Sequence, residues 1–229
     1  MTAKQISKAL RDLADPTIAA HSQRFFKTGP GEYGEGDRFL GIRVPLIRQQ
    51  VRKFHATPLD EIGKLLRSPF HEERLCALLL LVYQFDNADE TKRAVIYRLY
   101  LNNTAYITNW DLVDSSAPHI VGAYLADNDR RVIHKLSRSK NRWDRRIAVT
   151  STFDFIKLNQ FDDSFALAMR LMRDKEDLIH KAIGWMLREI GKRDRNALKR
   201  FLDQHHNEMP RTMLRYAIER LPAAERRRY

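Results

Sequence analysis

Two short stretches and one arginine-rich segment hold the side chains that could do chemistry. In Asn109 to Leu125 (NWDLVDSSAPHIVGAYL), Trp110 and Asp114 are i and i+4, so in a helix they stack on one side. They lie at the margin of an apolar stripe of Val113, Ala117, Ile120 and Tyr124, continued by Val121 and Leu125. A carboxylate there meets apolar surface rather than open water. A salt bridge to a neighbouring helix would satisfy it, and so would a reaction; Asp111, in the first turn, is explained as a helix-dipole partner. From about Lys175 to Lys192, Ile179, Ala182, Ile183, Met186 and Ile190 form a packing face. Lys181, Trp185, Arg188 and Lys192 follow i, i+4, i+7, i+11 on another face. An indole among cations is either covered by a neighbouring helix or by lysine stems, or it is offered to a sugar or base between phosphate contacts. In Asn141 to Asn159, which also carries Arg142 and Arg145, Arg146 lies near the line of Val149 and Phe153. Its guanidinium therefore needs a partner, an internal carboxylate or a ligand phosphate.

Helices must carry these groups. Nine Gly and eight Pro in 229 residues are few, and apolar residues recur at three- and four-residue intervals instead of alternating, which predicts an all-α chain. Asp15-Pro16 and Ser68-Pro69 mark helix starts, and Asn109, Asn141, Asp174 and Asp194 sit where N-caps belong. Thr28 to Arg38 (TGPGEYGEGDR) has four glycines, cannot sustain a helix, and reads as a flexible connector. A small residue recurs in apolar helices near a basic one, at Ala77, Ala148, Gly184 and Ala217. The two later steps and half of the first are near 35 residues, leaving room for a further repeat near Val113, and this period suits paired-helix repeats. A helical solenoid is thus favoured over a globular bundle, with residues 1–229 as one repeat domain.

The formal charge of +12 and the pI near 9.9 point to a polyanionic partner. Leu75 to Tyr83, the longest apolar run, is too short to span a bilayer, and the N-terminus has no signal-peptide stretch, so a cytoplasmic protein without a membrane partner is expected. Cys76 is the only cysteine, and no Cys-x-x-Cys or His-Glu-x-x-His spacing occurs, so neither a disulfide framework nor a metal is implied.

Trp110-Asp111-Leu112-Val113-Asp114, Arg145-Arg146-Ile147-Ala148 and Lys181-Ala182-Ile183-Gly184-Trp185-Met186-Leu187-Arg188-Glu189 together resemble the AlkD-type alkylpurine DNA glycosylases. The similarity runs from about Phe25 onward, through Phe39-Leu40-Gly41-Ile42 and Pro45. The resemblance implies a curved α-solenoid of HEAT-like repeats whose concave face takes duplex DNA, and release of alkylated purines without inserting the base in a pocket. It puts Asp114 on the catalytic carboxylate, Trp110 and Trp185 on the two indoles of the cleft, and Arg146 on a cleft arginine. Arg48 and Arg188 fall on phosphate contacts, with Lys181 and Arg145 as further DNA-binding residues. No cofactor or metal is implied, and a monomer, nucleoid-associated when on DNA, is expected. Two features differ: the Gly-rich stretch is longer than the corresponding family link, and Phe25 stands at a family tyrosine.

An N3- or N7-alkylated purine already carries positive charge and leaves without a general acid, so one carboxylate suffices to stabilise the oxocarbenium and orient water. The alternative reading is a non-catalytic HEAT-repeat binder of damaged or branched DNA. A protein scaffold would explain the fold but not the charge.

Overall fold

The computed structural model describes residues 1–229 and is all-helical, with one isolated bridge between Arg38 and Phe70. It consists of two compact units, Met1–Ser116 and Ala117–Tyr229. The first unit runs through α1 (Ala3–Arg11), α2 (Pro16–Phe25), α3 (Val44–Lys53), α4 (Leu59–Leu66), α5 (His71–Asp86), α6 (Glu90–Leu101) and α7 (Trp110–Asp114). The second opens on a π-helical turn, Pro118–Gly122, and α8 (Ala123–Leu125). It continues through α9 (Arg131–Leu136), α10 (Arg142–Lys157), α11 (Asp162–Leu171), α12 (Asp177–Arg193), α13 (Arg195–His205), α14 (Arg211–Ile218) and α15 (Ala223–Arg226). No helix is long and apolar enough to cross a membrane.

Local chemistry sets most of the starts. Asp15 accepts from the Thr17 and Ile18 amides ahead of Pro16, and Asn109, Asn141 and Asp194 cap α7, α10 and α13. Two expected starts lie slightly later. Ser68 Oγ accepts from the Phe70 amide and α5 begins at His71, while Asp174 accepts from the Glu176 amide and from Arg145, and α12 begins at Asp177.

In the second unit α10, α12 and α14 lie side by side, backed by α9, α11 and α13. The stripe expected on α12 is its buried face: Ile179, Ala182, Ile183, Met186 and Ile190 are all in the core. A Cβ on Gly184 would lie 2.5 Å from both the Met213 carbonyl oxygen and Tyr216 Cβ, so α12 and α14 approach as closely as they do only because that side chain is missing. In the first unit α3 and α4 pack on α5, whose Leu75 to Leu78 and Leu80 to Leu81 are buried. Cys76 is fully buried among them; burial, with the Glu73 carboxylate adding to it, pushes its thiol up to about 12.

Helices α5, α7, α10, α12 and α14 begin at residues 71, 110, 142, 177 and 211, so the period seen in the small residues is the step from one helix pair to the next. Near Val113, where the period left room for a further repeat, stands α7, a single short helix whose Val113 is fully buried.

The segment 28–38 differs from the flexible connector expected of it. It is a succession of hydrogen-bonded turns: the Glu32 carboxylate accepts from the Gly29 amide at 2.9 Å and Glu35 from Gly31 at 3.0 Å. The Gly34 amide donates to the Lys27 carbonyl at 3.0 Å, where an added Cβ would stand 2.4 Å from the Phe26 carbonyl oxygen.

Candidate active site

The head of α5 reads His71-Glu72-Glu73-Arg74, four polar residues that are all buried. Burial of that kind demands partners, and each has them. Glu72 accepts from the Leu40, Gly41 and Ile42 amides at 2.8, 2.7 and 3.2 Å. Glu73 accepts from Ser7 and Ser68 hydroxyls, both at 2.6 Å, and from Arg11 at 3.0 Å. Arg74 donates to Asp37 Oδ1 at 2.5 Å, and His71 bonds Asp37 Oδ2 through Nδ1 at 2.8 Å and Asp111 Oδ2 through Nε2 at 2.7 Å. The last residue but one of the Gly-rich segment is therefore tied, through His71, to the first turn of α7. Asp111 does more than meet a helix dipole.

Burial disfavours the charged His71 ring, but Asp111 and Asp37 outweigh it and raise its pKa to about 9. Burial likewise opposes the Asp37 charge, and the hydrogen bond and charge of His71, with Arg74 and Asn109, overcome it and lower its pKa.

Aromatic rings join this network to Trp110. His71 stacks on Phe39 at 4.5 Å between centroids and lies 5.1 Å from Phe26, which stacks on Phe39 at 5.0 Å and on Trp110 at 5.5 Å. Phe25 meets the Trp110 ring edge-on at 6.2 Å and is itself 57 % exposed. Trp110 and Asp114 sit on α7 one turn apart, as expected, and both are half-buried. Arg48 stands exposed on α3 of the same unit.

The other predicted residues belong to the second unit. Arg146 on α10 is buried and donates to the Leu178 carbonyl at 2.5 Å. Arg145, expected as a DNA contact, is an internal strut: its guanidinium holds Asp174 with Nε at 2.6 Å and Nη2 at 3.1 Å, and Nη1 donates to the Ser139 and Lys140 carbonyls. With those donors committed inside the fold, it has little left for a phosphate.

On α12 the cations carry carboxylate partners. Lys181 pairs with Asp177 at 2.9 Å, Lys192 with Glu189 at 2.7 Å, and Arg188 with Glu219. The Trp185 indole N–H donates to Glu189 at 3.1 Å, and its ring tilts on Phe153 of α10 at 5.9 Å, so packing covers part of an indole expected among cations. Exposed pairs of this sort are worth only about 0.2–1 kcal/mol. A phosphate could take over Lys181 at little cost.

The network of His71, Asp37, Asp111 and Arg74 was not expected from the sequence. Its signal was the run of four polar residues opening an otherwise apolar helix.

Three comparisons bear on these sites. Residues 6–221 match a protein family described as DNA alkylation repair enzyme. The solved structure of a predicted DNA alkylation repair enzyme from Enterococcus faecalis aligns with a TM-score of 0.70, covering 92 % of this chain and 97 % of that one at 18 % identity, a likeness of fold. No curated protein matches the chain. With the family match running almost end to end over both units and the solved relative sharing the helical fold, the chain belongs to the DNA alkylation repair enzyme family.

Proposed function

We propose that the protein is a monofunctional DNA glycosylase that hydrolyses the N-glycosidic bond of cationic alkylated purines, such as N3-methyladenine and N7-methylguanine, in duplex DNA. One observation carries the reading: a half-buried carboxylate, Asp114, stands one turn from a half-buried indole, Trp110, on a short helix clamped at its first turn. A clamped helix can hold a charge in place without reorganising during reaction, which is the condition for strong electrostatic stabilisation.

The substrate supplies the leaving group. Alkylation places a positive charge on the purine, and the electron pair of the breaking C1'–N bond neutralises it, so the base departs without being protonated. Positive charge passes to the deoxyribose, where Asp114 faces the oxocarbenium and orients a water. The water oxygen bonds C1' and gives up its proton to the carboxylate and then to solvent. The indole of Trp110 adds cation–π attraction on the order of 0.5–2 kcal/mol, and Trp185 is assigned the same role. Arg48, Lys181, Arg188 and Arg146 are assigned to the DNA backbone; Arg145 is left out of that set because of its bonds to Asp174.

Asp114→Asn tests the assignment. The substitution keeps the shape and removes the charge, and should lower single-turnover release of either base by about 10²–10³. Duplex affinity should stay within a few-fold of the parent. A modest effect on release, or a parent that releases neither base, would leave the alternative reading, a non-catalytic binder of damaged DNA.

A further inference from the structure

We infer that His71 is a positioning residue for the reaction at Asp114, gripping α7 through Asp111 from an anchor on Asp37. The inference rests on the reading of Asp114 given above. The two ring nitrogens of His71 reach in opposite directions, to Asp37 at 2.8 Å and to Asp111 at 2.7 Å. A carboxylate only accepts, so both bonds form together only when both nitrogens carry hydrogen. The ring is thus an imidazolium with its charge shared between two elements.

The anchor is firm. Asp37 is bonded a second time by Arg74 at 2.5 Å and by Asn109 at 3.4 Å, and the His71 and Asp37 side chains are 2 % and 3 % exposed. Two lines then run from His71 to the proposed chemistry. One passes through Asp111 into the turn that bears Asp114. The other passes through Phe26, which lies 5.1 Å from the His71 ring and 5.5 Å from that of Trp110. Helix α7 has only five residues, too few to be stiff by itself, so its direction must be set from outside. Apolar residues could fill the same volume without the desolvation of buried charge, but they would not fix direction as two opposed charged hydrogen bonds do.

The test uses the full chain with His71→Gln and Asp111→Asn, and with Ile62→Ala as a core variant outside the network. Three quantities are read: single-turnover release of 7-methylguanine, Kd for undamaged duplex, and the indole N–H signals of Trp110, Trp143 and Trp185 in a ¹H–¹⁵N spectrum. His71→Gln should slow release by about tenfold to a hundredfold with Kd changed by less than about twofold, since displacement of the reacting groups acts on rate. It should move the Trp110 signal and leave those of Trp143 and Trp185 in place. Asp111→Asn, at a residue nearer the surface, should act in the same direction, and it decides the matter if His71→Gln does not fold. Ile62→Ala should destabilise the chain with neither effect. A fall in rate no larger than that of Ile62→Ala, or an unmoved Trp110 signal, overturns the inference. If the parent releases no base, the glycosylase reading fails, and the Trp110 signal alone decides whether His71 sets that residue in place.

Discussion

His71 keeps a positive charge in a place that water hardly reaches, and the stability it contributes depends on pH in a definite direction. Its pKa rises from 6.5 to about 9 on folding, so its contribution is complete below pH 6.5 and is lost as pH rises through 9. Asp37, with its pKa lowered from 3.8, contributes above that value and loses its contribution as pH falls through the lower one. The Cys76 thiol, raised from 9.0 to about 12, and the Tyr229 hydroxyl, raised from 10.0 to about 12, add losses of their own only above those lower values. Between pH 7 and 9 the parent should therefore lose on the order of 2 kcal/mol, roughly 4–8 °C in Tm, and His71→Gln should lose clearly less. Parallel Tm curves for the two proteins would contradict the assignment. The spacing of Trp110 and Asp114 was legible in the sequence because helical geometry alone puts them on one side. His71 was not, because Asp37 and Asp111 lie 34 and 40 positions away and meet it only through the fold. Arg145 and Arg146 stand next to each other in sequence, and nothing local says which guanidinium finds Asp174.

At the level of helices, close packing hangs on single residues. Gly184 sits in the middle of α12, where Gly→Ala on an exposed surface would stabilise by about 1 kcal/mol. Here the added methyl would meet the Met213 carbonyl oxygen and Tyr216 Cβ at 2.5 Å. Gly184→Ala should therefore destabilise, since overpacking costs about 1–3 kcal/mol; denaturant unfolding showing an unchanged or raised midpoint would contradict the close approach of α12 and α14. The small-residue period was legible because every helix pair needs a point of close approach, and Ala77, Ala148 and Ala217 are buried as Gly184 is. The segment 28–38 was not legible in the same way. Its glycines exclude a helix, but they also allow tight turns; the carboxylates of Glu32 and Glu35 complete those turns, and Asp37 ties the end of the segment to His71, with hydrogen bonds that composition does not reveal.

For the molecule as a whole, the charge of +12 lies mostly in the second unit, which carries +10 against +2 in the first, and there it is shared among several helices rather than gathered on one. Binding to duplex DNA should accordingly be electrostatic and depend weakly on sequence. The slope of log K against log salt should be roughly 0.9 for each phosphate neutralised, so affinity should fall steeply between about 50 and 200 mM salt. An affinity unchanged over that range would argue against phosphate contacts by Arg48, Lys181 and Arg188. Several cations on α12 hold carboxylates in the free protein, so the slope should be smaller than a count of lysines and arginines suggests.

The buried thiol of Cys76 makes the native chain its own clock. Fully enclosed beside Glu73 and held protonated to about pH 12, it presents no thiolate to maleimides or disulfide reagents while α5 is in place. Reagent can reach it only when the helix that carries His71 comes away from its neighbours. At saturating reagent the labelling rate of untreated protein thus counts those openings, without an introduced probe, and a rate slowed by added duplex DNA would show that binding suppresses them.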